Sequence, residues 1–156
     1  MAIIPVFIPH AGCPHQCVFC NQKTISGQQT ASSRDVEQQL ERYLQWIKPG
    51  PFNEAAFYGG SFTGLPADLQ TELFRPVDKL LAEGVIGSVR LSTRPDYIDA
   101  ARLELLQAHG VKTVELGVQS LDDNVLAAAE RGHQATDVYK LSLIHISEPT
   151  RHLRIS

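Results

Sequence analysis

The sequence predicts an α/β fold built from repeated βα units, and two observations carry this prediction. Short apolar runs typical of buried strands alternate with segments whose apolar residues recur at helical spacing. Polar residues follow the ends of the apolar runs, where parallel sheets place their functional sites. The four units between residues 3 and 140 are too few to close an eight-stranded barrel, so we expect a partial barrel.

The first two units are delimited by capping residues, prolines and glycines. A strand at residues 3–8 precedes a helix capped by Ser32 or Ser33. A second strand at residues 54–58 precedes a helix that opens at Pro66. We expect Pro76 to kink or split this helix and Gly84 to end it.

The last two units repeat this order. A strand at residues 88–92 leads to a helix that ends at Gly110. A strand at residues 113–118 leads to a fourth helix, for which Ser120 and Asp123 form a weak capping box. Repeated units of this kind imply parallel strands with right-handed crossovers.

Composition narrows the class of protein. The 156 residues are 43% hydrophobic and 20% charged, with a net charge of −3, so the chain lacks the global positive field of a dedicated nucleic-acid binder. No apolar run approaches the roughly 20 residues of a membrane span, and the start of the chain lacks the features of a secretory signal. We expect a cytoplasmic protein with no membrane partner.

Residues 141–156 depart from the βα pattern. Their amino-acid sequence resembles a translated sequencing adapter. We therefore predict a core domain at residues 1–140 and a non-native tail at residues 141–156 that supplies no further strand. The alternative is a natural terminal strand and tail.

Cys13, Cys17 and Cys20 follow the first strand with the spacing C-x3-C-x2-C. Three thiolates in one loop can ligate three irons of a cubane cluster and leave the fourth iron open to a cofactor or substrate. An odd number of cysteines this close together is a poor disulfide framework. The alternative is a zinc site with His10 or His15 as its fourth ligand.

Further candidate residues follow the later strands. Gly59 and Gly60 end the second strand, where glycines let the backbone approach a ligand closely or simply form a turn. Polar groups at or beyond the third and fourth strands are Thr93, Arg94, Gln119 and Arg131. The carboxyl ends of parallel strands share one edge, so we expect these residues to lie beside the cysteine loop.

Taken together, these motifs resemble the radical S-adenosylmethionine (radical SAM) superfamily, and within it the elongator catalytic-subunit family. The cysteine spacing and the aromatic Phe19 carry the first likeness. The chain is more similar to short bacterial relatives without an acetyltransferase domain, because the gap between its first two cysteines is narrower than in elongator subunits. The sequence motifs shared with the elongator branch are Gly59-Gly60-Ser61-Phe62-Thr63-Gly64, Thr93-Arg94-Pro95-Asp96-Tyr97, Glu115-Leu116-Gly117-Val118-Gln119-Ser120 and Arg131-Gly132-His133.

The resemblance implies an enzyme, built on the N-terminal four units of a truncated (β/α)6 barrel. Its cofactors are a 4Fe–4S cluster, held by the three cysteines, and S-adenosylmethionine, cleaved reductively to a 5′-deoxyadenosyl radical. A flavodoxin- or ferredoxin-like protein is the expected electron donor, and RNA modification the expected outcome. This truncated chain is expected to be inactive on its own. The implied cofactor-binding residues are Phe19, Gly59, Gly60, Ser61, Thr93, Arg94, Gln119 and Arg131, and no catalytic residue is assigned.

Individual roles also follow from the resemblance. The backbone of Gly59 and Gly60 would hold the methionyl amino group, with Ser61 standing where the family usually has an acid. Arg131 suits the methionyl carboxylate, since a guanidinium can bind it through two parallel hydrogen bonds. Gln119 would bond the ribose or the carboxylate.

Two other functions stay open at the level of sequence. One is a radical enzyme acting on a small molecule, as in oxygen-independent coproporphyrinogen oxidase, whose cofactor-binding Gln and Arg match Gln119 and Arg131. The other is a zinc-binding module without catalysis. Glu115, on the fourth strand, is expected either to face inward as a functional residue or to pair with a neighbouring cation.

Overall fold

A computed structural model describes residues 2–9, 17–18, 20, 31–147 and 152–155. Cys13, Phe19, His10 and His15 lie outside these ranges. The described helices are α1 (Ser33–Leu44), α2 (Ala67–Ala82), α3 (Ala100–Ala108), α4 (Asp123–Ala128) and α5 (Ala135–Ser147). The strands are β1 (Ile3–Phe7), β2 (Glu54–Tyr58), β3 (Ser88–Thr93), β4 (Val111–Leu116) and β5 (His152–Ile155).

The strands form one parallel sheet in the order β1-β2-β3-β4-β5. Successive strands with helical crossovers between them are the predicted βα architecture, and this prediction is confirmed. Alternate residues of a strand point to the same side of the sheet. The apolar residues on one side pack against the helices. The buried core on that side includes Val6, Phe57, Leu91 and Leu116 from the strands and Val36, Leu73, Phe74 and Leu106 from the helices.

The start of α1 and the end of α2 agree with the sequence signals. The Ser32 hydroxyl accepts from the Asp35 amide, and the Asp35 carboxylate accepts from the Ser32 amide, which forms a capping box. Hydrogen bonding from the Ser32 side chain lowers the pKa of Asp35. Gly84 follows α2 with a φ of 70°, as expected of a C-terminal stop.

The structure corrects two expectations about helices. α2 runs continuously through Pro76, so the helix is not split, and a kink at Pro76 stays a prediction. A proline removes one backbone bond, and the apolar side chains on either side of it, Leu73 and Val77, stay buried in the core. α4 is capped by Asp122, whose carboxylate accepts from the Asn124 amide at 2.8 Å, and not by Ser120.

The expectation that residues 141–156 supply no further strand is also wrong. β5 pairs in parallel with β4 over four residue pairs, from Thr113 with His152 to Leu116 with Ile155. The physical reason is that β4 offers an edge of backbone donors and acceptors. The alternation of polar and apolar residues in β5 suits a strand. Leu141, inside the unpredicted α5, is buried in the core. The adapter origin of residues 141–156 stays a prediction.

β1 lies at the edge of the described sheet, and α1 covers part of that edge. Gln39 Oε1 accepts from the Phe7 amide at 2.7 Å, and Gln39 Nε2 donates to the Phe7 carbonyl at 2.9 Å. One side-chain amide therefore satisfies both backbone groups of the strand's last residue. Among the described helices, none is long and apolar enough to cross a membrane.

Candidate cofactor site

The loops after β2, β3 and β4 are joined by hydrogen bonds at the carboxyl edge of the sheet. The Thr93 hydroxyl lies 2.9 Å from that of Ser61 and 2.6 Å from that of Thr63. The Arg94 amide donates to the Ser61 hydroxyl at 3.2 Å, and the Gly117 amide donates to the Thr93 carbonyl at 2.9 Å. Three strand ends thus form one continuous surface.

The side chains of Ser61, Thr93 and Arg94 are buried within this surface. The Arg94 guanidinium makes two bonds of 2.9 Å to the Asp96 carboxylate and lies 5.5 Å from the centre of the Tyr97 ring. These side chains bind one another and hold the loops together. Their direct contact with a cofactor stays a prediction.

Gly59 is required by packing at the end of β2. Its φ is 105°, a conformation that residues with a side chain rarely adopt. A Cβ at this position would overlap the Ile8 carbonyl oxygen and the Phe7 ring. Gly59 therefore lets β2 end directly against the point where the chain leaves β1 for the cysteine loop, and Gly60 follows it, half-buried.

Gln119 and Arg131 come together beside Gly117. A Cβ built on Gly117 would lie 3.7 Å from Nε2 of Gln119 and 3.0 Å from Nη2 of Arg131. Gln119 has a φ of 69°. This left-handed conformation costs a non-glycine residue about 1–2 kcal/mol, and such strain concentrates at functional sites.

Arg131 connects this group to the cysteine loop. Its Nη2 donates to the Gly117 carbonyl at 2.5 Å, and its Nη1 donates to Cys17 Sγ at 3.6 Å. Cys17 and Arg131 are 114 positions apart in sequence. The predicted meeting of the cysteine loop with residues after the fourth strand is thus seen for Cys17 and Arg131, while Gln119 lies beside Gly117.

The described part of the cysteine loop suits metal-binding thiolates. Cys17 is buried, Cys20 is half-buried, and both are free thiols. The Cys20 amide donates to the Cys17 carbonyl at 2.8 Å, so the two residues lie in one tight turn. A guanidinium beside Sγ of Cys17 favours a ligand that carries negative charge. This donor set fits an iron–sulfur cluster, with the third predicted ligand, Cys13, outside the described residues.

His133 lies beside the segment that follows β4. It is buried, and its Nε2 lies 3.2 Å from the carbonyl oxygen of Val118. Burial, together with the positive charge of Arg131, lowers the pKa of His133. The neutral imidazole is therefore favoured, which suits a packing role behind Val118.

A charged ladder that the sequence did not predict lies on the sheet face opposite the helices and consists of Glu54, Arg90 and Glu115. Arg90 donates to Glu54 at 2.6 and 3.0 Å and to Glu115 at 3.0 Å. Ser92 also donates to Glu115, at 3.3 Å. Glu115 therefore pairs with a neighbouring cation, which confirms one of the two expectations, and a functional role for Glu115 stays a prediction. The missed signal was a charged residue within each of three neighbouring strands.

Comparison with known proteins decides the family. The model described as "Radical SAM superfamily" matches residues 7–142. The chain belongs to the radical SAM superfamily. Members of this superfamily generally use a 4Fe–4S cluster together with S-adenosylmethionine.

Curated relatives of this radical SAM chain include proteins of the elongator branch. An uncharacterized protein of Methanocaldococcus jannaschii is 28% identical over 149 residues, which cover 88% of this chain and 45% of the relative. The tRNA uridine(34) acetyltransferase of Methanocaldococcus infernus is 24% identical over 178 residues, covering 90% of this chain and 33% of the relative. The predicted likeness to this branch is confirmed, and the chain spans less than half the length of these relatives.

A solved structure supports the radical SAM fold. The coproporphyrinogen III oxidase HemN from Escherichia coli superposes with a TM-score of 0.68 at 21% identity, over 99% of this chain and 36% of that one. This likeness shows the fold. The predicted partial radical SAM barrel is confirmed.

Proposed function

We propose that the chain is the cofactor-binding part of a radical SAM enzyme. In this proposal Cys13, Cys17 and Cys20 hold a 4Fe–4S cluster, and S-adenosylmethionine lies beside it at the carboxyl edge of the sheet. The contact of Arg131 with both Cys17 and Gly117 carries the proposal, because it brings the cysteine loop to the end of β4.

Held by Cys13, Cys17 and Cys20, the cluster would supply, with an electron from a low-potential flavodoxin- or ferredoxin-like donor, the reductive cleavage of a carbon–sulfur bond of S-adenosylmethionine that radical chemistry on a substrate requires. The protein's own contribution is orientation and the exclusion of water. The buried hydroxyls of Ser61, Thr63 and Thr93 keep the loops after β2 and β3 in fixed positions.

Each proposed contact matches a chemical group of S-adenosylmethionine. Gly59 and Gly60 present backbone to the methionyl amino group, since no side chain stands in the way. The Arg131 guanidinium suits the methionyl carboxylate. The exposed Gln119 amide suits the ribose or the same carboxylate. Thr93, Arg94 and Phe19 are assigned to the neighbourhood of the nucleoside.

RNA is the substrate class we propose first. The relative named tRNA uridine(34) acetyltransferase aligns with 90% of this chain. The proposed reaction is accordingly a radical modification of an RNA base.

A small-molecule substrate is the second candidate, and the charged ladder favours it. Two carboxylates share one guanidinium, so the ladder carries net negative charge. Such a surface repels phosphate groups, and the phosphate backbone supplies most of the affinity of nucleic-acid binding. The fold likeness to coproporphyrinogen III oxidase is compatible with this candidate.

Anaerobic reconstitution with iron and sulfide tests the proposed cofactor. We expect about four irons per chain and a visible absorption band that bleaches on reduction. Cys17→Ala should lose both, because a cluster ligand is gone. Val18→Ala is the matched control, since Val18 lies in the same loop with its side chain 69% exposed.

The zinc alternative makes a different prediction for the same samples. Binding of a single zinc, with no iron absorption band in the unaltered chain, would overturn the proposal. Cys17→Ala protein that retained its iron content and spectrum would overturn the assignment of that ligand.

Release of 5′-deoxyadenosine by the complete protein separates the two substrate classes. Unmodified tRNA should increase this release if RNA is the substrate. Stimulation by a small molecule such as a porphyrinogen, with no effect of tRNA, would favour the second candidate.

A further inference from the structure

The guanidinium of Arg131 is held at one end and directed at a sulfur by the other. Nη2 is fixed on the Gly117 carbonyl at 2.5 Å, while Nη1 donates to Cys17 Sγ at 3.6 Å. Because a guanidinium is rigid and planar, holding one terminal nitrogen sets the direction of the other. Gly117 contributes by having no side chain, since a Cβ there would lie 3.0 Å from Nη2.

The backbone that carries Arg131 is also fixed. The Arg131 amide donates to the Leu126 carbonyl at 2.9 Å, the long bond of a Schellman turn at the end of α4. Glu130 takes the left-handed position of this turn, with a φ of 53°, where glycine is the usual residue. A separate bond joins the Val18 amide to the Ala129 carbonyl at 3.2 Å. The end of α4 thus contacts the cysteine loop at two points.

We infer that Arg131 is a positioning residue that donates a hydrogen bond to the Cys17 ligand and thereby raises the reduction potential of the cluster. The inference rests on the proposed function, which supplies the cluster. Hydrogen bonds and positive charge beside cluster sulfurs stabilise the reduced state, because that state carries one more electron. The electron comes from the external donor.

This role is distinct from binding a methionyl carboxylate. A carboxylate contact operates only when S-adenosylmethionine is present, whereas the Cys17 contact exists without it. A potential measured in the absence of S-adenosylmethionine therefore reports on the sulfur contact alone. Arg102 is the control arginine. Its guanidinium is also held by a backbone carbonyl, that of Thr63 at 3.0 Å, but it pairs with the carboxylate of Asp99 and not with the Cys17 sulfur.

The experiment is a spectroelectrochemical titration of the reconstituted full chain without S-adenosylmethionine. In Arg131→Gln, the equilibrium constant for one-electron reduction should fall about tenfold, a shift of about 59 mV to more negative potential. Arg131→Lys should fall between Gln and the unaltered chain, because it keeps the charge but reaches one acceptor. Arg102→Gln should leave the potential unchanged.

Gly117→Ala provides a variant that keeps the arginine. Its methyl group should displace Nη2 and shift the potential in the same direction by a smaller amount. Arg131→Gln that loads four irons and titrates at the unaltered potential would overturn the inference while leaving the proposed function intact. If Arg131→Gln fails to load, an unchanged potential in Gly117→Ala overturns it instead. Failure of the unaltered chain to load would overturn both.

Discussion

The charged ladder makes the most demanding prediction about stability. Replacing Arg90 by Met removes three hydrogen bonds and leaves the carboxylates of Glu54 and Glu115 without their shared cation. The side chains of these residues are 13%, 14% and 20% exposed for Arg90, Glu54 and Glu115, so water compensates only part of the loss.

The expected cost follows from that burial. Removing one partner of a fully buried ion pair costs 3–5 kcal/mol, and partial exposure places Arg90→Met near the lower limit, at about 3 kcal/mol. This corresponds to a factor of about 100 in the folding equilibrium constant. Urea denaturation at neutral pH and low salt, followed by circular dichroism, measures the difference as a change in midpoint.

Two comparisons make the ladder prediction refutable. Lys140→Met breaks an exposed pair, since the Lys140 side chain is 74% exposed, and should cost less than about 0.5 kcal/mol. A triple variant with Glu54→Gln, Arg90→Met and Glu115→Gln should recover most of the loss, because no unpaired charge remains. The reasoning is refuted if Arg90→Met costs no more than Lys140→Met, or if the triple variant is as unstable as Arg90→Met.

Two further predictions concern single residues near the site. Gly59→Ala should destabilise the chain by about 2–4 kcal/mol, and Gly84→Ala by only about 1 kcal/mol, because Gly84 shares a positive φ but has no atom within 4 Å of the added Cβ. Equal urea midpoints for the two variants would show that contact of the added Cβ with Phe7 and Ile8 does not destabilise the chain. The lowered pKa of His133 means that the unfolded chain binds more protons below about pH 6.5, so stability should fall with decreasing pH by at most about 1.4 kcal/mol per unit. His133→Gln should flatten this dependence below about pH 6.5, and an unchanged slope would contradict the assignment.

Local signals predicted much of the fold. The bounds of β2 follow from an apolar run that ends in glycines, and the start of α1 follows from a capping serine. These features depend on neighbours in sequence, so one sequence suffices to locate them. Arg131 and Cys17 were placed together correctly because parallel strands direct their carboxyl ends to one edge.

Other features depend on contacts that sequence periodicity does not encode. The Glu54–Arg90–Glu115 ladder forms only after three strands are in register, and β5 is selected by the free edge of β4. The buried hydroxyl of Ser61 is likewise explained by its partner Thr93, 32 positions away. Local reasoning named Ser61 and Glu115 without their partners, and it did not single out Glu54 or Arg90.

The amide of Gln39 has a consequence for association between molecules. A primary amide offers the same donor and acceptor as a peptide group, so at Phe7 the side chain takes the place of a neighbouring strand. An incoming strand would have to displace two hydrogen bonds before it could pair at this position. Lateral growth of the sheet is therefore disfavoured at the β1 side, where the chain leaves for the cysteine loop, and the approach to that loop stays clear of edge-to-edge contacts.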